Sequence, residues 1–89
     1  MTSAQVELGR LVERWQQLPV DQALSRTPAV RPVVQQLADA VADVEGRPRV
    51  PVPDLGPGVV MDQLTVIVFD AAEAGLDPTA ELRDLRRAL

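Results

Sequence analysis

The segment VVMDQLTVIVF at positions 59–69 is an almost uninterrupted apolar run in a chain of only 89 residues. Asp62 and Gln63 interrupt it, and glycine-containing segments flank it, GPG at 56–58 and AAEAG at 71–75. A membrane-spanning helix needs about 20 apolar residues, so the run is too short to cross a bilayer. A chain of this length forms one small core with little room to hide such a segment. The run therefore predicts either a central helix or part of an interface.

Four segments of the chain place apolar residues at alternating intervals of four and three. This spacing lines up the apolar side chains along one side of an α-helix. The four stripes are Ala4, Leu8, Leu11, Trp15 and Leu18; Val30, Val34, Leu37, Val41 and Val44; Val60, Leu64, Ile67, Ala71 and Ala74; and Leu82, Leu85 and Leu89. No stripe is sustained over three heptads, which disfavours a long coiled coil. The sequence predicts an all-α fold, a small bundle of four helices in one domain, 1–89.

The third segment has a competing interpretation as a strand, because residues 64–69 are rich in β-branched side chains. The helical spacing continues past this stretch to Ala74, and the glycines at 58 and 75 are far apart for a strand. These two observations favour a helix.

Capping residues and prolines predict where the helices begin and end. Thr2 or Ser3 can cap the first helix, and Pro19 ends it. For the second helix, Thr27 and Pro28 fit an N-cap followed by proline at the first helical position. Because Pro32 lacks a backbone N–H and restricts Arg31, the regular helix is expected to start only near Pro32. Residues 20–26 are expected to form at most a weak helical turn. Gly46 and Gly75 suit the left-handed conformation that closes a helix.

Residues 46–58 (GRPRVPVPDLGPG) form a proline- and glycine-rich arm between the second and third helices. Its prolines exclude a regular helix or a central strand and favour an extended, polyproline-like backbone. Irregular connections of this length are uncommon in compact domains and are often functional. The apolar side chains of Val50, Val52 and Leu55 are candidates to dock on the bundle or on another subunit. The competing interpretation, which the sequence slightly favours, is a loop that merely covers the end of the helix pair.

The composition leaves almost no catalytic chemistry. The chain has no His, Cys, Lys or Tyr, which supply most general bases and many activated nucleophiles. Only carboxylates remain, in the helical pairs Asp70/Glu73 and Glu81/Asp84, which could in principle hold Mg²⁺ or Mn²⁺. Charged pairs of this kind are ordinary on the solvated side of a helix. We expect no enzyme activity, no cofactor and no metal site; a carboxylate metalloenzyme is the third-ranked class.

The same composition carries information about the source. All nine basic residues are arginine, asparagine is absent, and isoleucine and phenylalanine occur once each. The depleted amino acids are largely those with AT-rich codons, which indicates a high-GC bacterial genome. The absence of cysteine fits a reducing compartment, and the first ten residues lack the pattern of a secretory signal. The expectation is a cytoplasmic protein that does not enter a membrane.

A net charge of −4 argues against sequence-independent binding of nucleic acid. Residues 71–79 (AAEAGLDPT) nevertheless resemble the turn of a bacterial helix-turn-helix, in which a small residue precedes glycine by four. The helix that follows carries Arg83, Arg86 and Arg87, which could contact phosphates or bases. A helix-turn-helix-like DNA-binding regulator is therefore the alternative function, with these arginines as its contacts.

A helical wheel of the third segment gives the leading functional hypothesis. Asp62, Val66, Phe69, Asp70 and Glu73 share one arc of about 100°, and the rest of the helix is nearly all apolar. The apolar sector is wider than one neighbouring helix covers, and the polar arc itself contains a valine and a phenylalanine.

Burial of this helix against a second copy of the chain would explain both features, since symmetric dimers are the commonest oligomers. We expect a homodimer with Met61, Val66 and Phe69 at its interface. The predicted function is that of a small non-enzymatic protein–protein interaction module with an unidentified protein partner, in an adaptor, antitoxin-like or assembly role.

Overall fold

Four α-helices make up the structure, a computed structural model that describes residues 1–89. They are α1 (Ser3–Gln16), α2 (Val20–Glu45), α3 (Pro57–Glu73) and α4 (Thr79–Ala88). The structure has no strand, so the predicted all-α four-helix bundle is confirmed, and the apolar run 59–69 lies within α3. None of these helices has both the length and the apolar character needed to cross a membrane.

The first helix begins with a capping box. The Thr2 hydroxyl accepts a hydrogen bond from the Gln5 backbone N–H (3.2 Å), and the Gln5 side-chain carbonyl accepts one from the Thr2 N–H (2.9 Å). Two N–H groups that a helix start would leave without partners are thereby satisfied. Thr2, rather than Ser3, is the cap.

The second helix is longer than the sequence predicted. It begins at Val20 and continues through Pro28 and Pro32 as one helix of 26 residues, so the expected late start is wrong. Ala23 and Thr27 are buried, and they continue the buried side of α2 from Val30 towards its N-terminus by two turns. The free energy gained by this burial outweighs the destabilisation that the prolines cause. Both prolines are exposed, so water can bond the carbonyls that lose their helical donors.

Glycines in the left-handed conformation end α2 and α3, as predicted. Gly46 has φ +69° and Gly75 has φ +80°. In each case the following residue donates back five positions, Arg47 N–H to Ala42 O and Leu76 N–H to Ala71 O, both at 2.8 Å. This arrangement is the Schellman motif, which satisfies the last carbonyls of the helix.

The helices pack in a ring in which α3 lies mainly against α2 and α1 mainly against α4. The α1–α3 and α2–α4 contacts that close the ring are much less extensive. The molecule measures 39 × 28 × 17 Å, and its longest dimension equals the length of about 39 Å expected for α2. The core is formed by Ala4, Leu8, Leu11, Trp15, Ala23, Val30, Val34, Leu37, Val60, Met61, Leu64, Val68, Leu82, Leu85 and Leu89.

Candidate protein-docking surface

One side of α3 is open to solvent although it carries large apolar side chains. We call this side the α3 face. It consists of Val59, Asp62, Val66, Phe69, Asp70 and Glu73, all of which are exposed. Val66 is 60% exposed and Phe69, the only phenylalanine of the chain, is 55% exposed. The polar arc of the helical wheel is thus the arc that the structure exposes.

The opposite side of α3 belongs to the core. Val60, Leu64, Val68 and Ala71 are almost completely buried. Met61 was expected at the interface, but it lies in the core with 7% exposure. The physical reason is its position one turn before Leu64 and two turns before Val68, on the side that packs against the bundle. Met61 is therefore unavailable for contact with a partner.

A groove runs between α1 and α3 on one flank of the α3 face. Its volume is about 500 Å³, and Phe69 forms part of its wall. The residues of α1 that line it include Leu8, Gly9, Val12 and Glu13. Because α1 and α3 make few contacts with each other, the seam between them stays open. We call it the α1–α3 groove.

A second groove lies between α2 and α3 on the other flank. It has a volume of about 320 Å³, and Val66 and Ile67 form its α3 wall. Val34 and Ala38 line it from α2, and Val52 of the proline-rich arm lines it as well. We call it the α2–α3 groove. Val66 and Phe69 therefore stand on a ridge between two largely apolar depressions.

Hydrogen bonds fix the proline-rich arm to the molecule's own helices. The Gln35 side chain accepts from the Val52 N–H (2.8 Å) and donates to the Val50 carbonyl (3.1 Å). The Gln63 side chain of α3 donates to the Pro53 carbonyl (3.0 Å). Of the three apolar side chains predicted to dock, Val52 packs against the core, whereas Val50 and Leu55 are exposed.

The charged side chains around the α3 face are all negative. Asp62, Asp70 and Glu73 lie on the face, and α3 contains no basic residue. Glu13 adds a carboxylate at the α1 side of the α1–α3 groove. No arginine lines either groove, and the N-terminal ammonium of Met1 is the only cation among the lining residues. The surface thus combines apolar contact area with an acidic border.

The arginines assigned to nucleic acid in the alternative hypothesis lie away from this face. Arg86 Nε donates to Glu7 Oε2 at 3.0 Å, and Arg83 Nε lies 3.5 Å from Glu7 Oε1. Arg10 approaches the same carboxylate at 3.4 Å. Two of the three candidate contacts are therefore engaged in joining α4 to α1, while Arg87 is exposed.

Glu7 is the centre of this ion cluster, and sequence reasoning missed it. Its side chain is only 5% exposed. The hydrogen bond from Arg86, together with the charges of Arg86, Arg83 and Arg10, holds the pKa of the Glu7 carboxyl below its ordinary value of 4.5. The pairing of Glu7 with Arg10 at i,i+3 is visible in the sequence. The contact with Arg86, 79 positions away, required the fold.

The remaining carboxylates show no convergent arrangement. Asp70, Glu73 and Asp84 are exposed, and Glu81 is half-buried. No group of three or more carboxylates lies close enough to hold a metal ion. Ser25, a candidate nucleophile by residue type, donates its hydroxyl to the Gln22 backbone carbonyl at 2.9 Å.

Comparison with known proteins adds no assignment to this geometry: no protein-family model matches the chain, and no curated protein or solved structure matches it.

Proposed function

We propose that the chain is a small non-enzymatic protein-interaction module that binds its partner through the α3 face. The observation that carries the proposal is the exposure of Val66 and Phe69 on a ridge between two apolar grooves. Contiguous apolar surface bordered by polar groups is typical of protein-binding sites. Adaptor, antitoxin-like and assembly roles all use a surface of this kind.

Phe69 is the expected centre of the contact. Complete burial of a phenylalanine side chain contributes about 1.5–3 kcal/mol, and binding energy in interfaces is concentrated in a few central anchors, which are often aromatic. Val66, one turn earlier, would add a second apolar anchor on the same ridge. The apolar grooves on each side would receive side chains of the partner.

The available side-chain chemistry supports a binding role. A chain without His, Cys, Lys and Tyr has few means of moving protons or forming covalent intermediates. The same composition supports an origin in the cytoplasm of a high-GC bacterium. The DNA-binding alternative has weaker support, because Arg83 and Arg86 are committed to Glu7 and the net charge is −4.

The homodimer predicted from the sequence is one form of this proposal, and binding of a different protein is the other. Light scattering at micromolar concentration separates them. A dimer that the Phe69→Glu substitution converts into a folded monomer would support the first form, and a strict monomer would exclude it.

The proposal itself is tested by capture of partners from an extract of the source organism, with the purified chain as bait. We expect Phe69→Glu to remove the captured proteins while leaving the far-UV circular dichroism and thermal midpoint nearly unchanged, because the side chain is already exposed. Leu24→Glu is the matched control, since Leu24 is 54% exposed on α2, away from the α3 face. Equal capture by both variants would contradict a role for the face.

A further inference from the structure

We propose that the α1–α3 groove receives an amphipathic helix rich in lysine or arginine from a different protein. This inference rests on the proposed function and specifies the chemistry of the partner. Three properties of the groove carry it: its shape, an unexplained glycine in its wall, and its charge.

The shape fits a helix. The groove is bordered by two helices, α1 with 14 residues and α3 with 17. The lining residues of α1 run from Gln5 to Gln16, about 17 Å at 1.5 Å per residue, which matches about three turns of a partner helix. The α3 wall consists of Thr65 and Phe69, one turn apart. Helices that bind in such grooves insert apolar side chains spaced by three and four residues. Leu8, Val12 and Phe69 supply the complementary apolar walls.

Gly9 is a glycine that the chain's own packing does not require. It lies in the middle of α1, its φ is not positive, and a Cβ placed there would meet no atom within 4 Å. Glycine weakens a helix interior, so alanine would be the better residue for α1 alone. Gly9 lines the groove, where the absence of a side chain lets another backbone approach closely.

The charge beside the groove favours a cationic partner. Asp62, Asp70 and Glu73 are exposed on the adjoining α3 face, and Glu13 lies in the α1 wall of the groove. The N-terminal ammonium of Met1 is the only cation among the lining residues, so the carboxylates outnumber it. The arginines of α1 are held on the α4 side of the bundle, Arg10 against Glu7 and Arg14 against the Leu89 carbonyl at 3.0 Å. Lysine or arginine flanking the apolar side of a partner helix would complement these carboxylates.

The same charges disfavour a second copy of the chain. In a two-fold pairing of α3 helices centred between Val66 and Phe69, Asp62 of one protomer lies opposite Glu73 of the other. Because α3 carries no basic residue, nothing on the helix offsets this repulsion. Juxtaposed like charges oppose association.

The test is a selection from a displayed library of helical peptides of about 16 residues, long enough to span the α1 wall of the groove. Leucines occupy the apolar positions, and the remaining positions are randomised among Lys, Glu, Gln and Ala. The full-length chain is the target, and Phe69→Glu serves for counter-selection. We expect the enriched peptides to contain a clear excess of Lys over Glu, and Glu13→Gln combined with Glu73→Gln to weaken their binding several-fold. Glu45→Gln, at the far end of α2, is the control.

Gly9→Ala separates docking in the groove from a structural role. It should raise the thermal midpoint by about 2–8 °C, since alanine favours the helix. It should weaken peptide binding about tenfold, because the added methyl group occupies the space into which the partner backbone approaches. Gly58→Ala is the matched control, because its Cβ would also meet nothing; it should leave binding unchanged. Tighter or equal binding by Gly9→Ala would overturn the inference.

Failure of this inference and failure of the proposed function give different results. The inference of a cationic partner helix is contradicted if the enriched peptides show no excess of lysine, or if no peptide is enriched. It is also contradicted if the chain forms a dimer that Phe69→Glu dissociates. In all three cases the docking role of the α3 face stands if Phe69→Glu still removes a specific protein contact. The docking role of the α3 face is contradicted if Phe69→Glu changes no interaction of the chain with another protein.

Discussion

At the scale of single residues, Glu7 and Phe69 occupy environments opposite to their usual ones. Glu7 is a carboxylate with a side chain only 5% exposed, whereas Phe69 is an aromatic residue that is more than half exposed. The buried carboxylate is explained within the chain by Arg83 and Arg86, which tie α4 to α1. No contact within the chain explains the exposed phenylalanine, which is why we assign it to binding.

The Glu7 cluster predicts a pH-dependent stability. Because the pKa of Glu7 is lowered in the folded state, its contribution is complete above the unfolded value of about 4.5 and is lost as the pH falls through the folded value. Glu7→Gln should therefore lower the thermal midpoint at pH 7, and the difference from the wild type should shrink below pH 4. Thermal denaturation followed by circular dichroism across this range is the measurement.

Asp84→Asn is the control for this prediction, since Asp84 is exposed on α4. It should change the midpoint little at either pH. A Glu7→Gln deficit that stays constant from pH 7 to pH 3 would show that the cluster contributes through packing and not through its charge.

The sequence located some residues of the candidate site and missed others for a definite reason. Helical periodicity placed Val66 and Phe69 in the polar arc, which is the exposed side of α3, because angular position depends only on spacing within the helix. Their role as interface residues stays a prediction. Periodicity could not predict whether Met61 lies in the core or at an interface. The helix is apolar on both sides of this residue, and only the packing of α2 and α1 determines which side is buried. The groove residues Gly9 and Glu13 depend in the same way on how α1 lies beside α3.

At the scale of helices, α2 is where sequence rules and structure diverge. Local signals correctly predicted Gly46 and Gly75 as helix ends, because a positive φ is a local requirement. They failed at Pro28 and Pro32, because proline in a helix is tolerated when burial of the neighbouring stripe offsets its cost. The compensating contacts of Ala23 and Thr27 are tertiary and therefore invisible to local rules.

The continuity of α2 predicts that Pro28→Ala stabilises the protein. The substitution restores a backbone donor to the helix and removes a steric clash, and the greater freedom of the unfolded chain offsets only part of this gain. We expect the free energy of unfolding to rise by about 1–3 kcal/mol in urea denaturation. Pro51→Ala, in the irregular arm, should give no such increase. A destabilised Pro28→Ala variant would show that the proline is needed where it stands.

At the scale of the whole molecule, charge is divided between two sides. The α1–α4 side carries Arg10, Arg14, Arg83 and Arg86, each held by an acidic side chain or a backbone carbonyl. Helix α3 carries carboxylates and exposed apolar groups and no basic residue. The sequence showed the absence of basic residues from α3, but the separation of the two sides depends on the ring order of the helices. This separation is the basis on which we propose a cationic partner for the α3 face.

The most direct measurement of the central claim is a ¹³C-methyl NMR titration of the full chain with a captured partner or a selected peptide. If the α3 face and the α1–α3 groove form the docking surface, the methyl signals of Val66, Val12 and Leu8 will shift, and those of Leu24 and Val50 will not. Shifts confined to Leu24, Val50 or the α4 leucines, with Val66 and Val12 unchanged, would contradict the account.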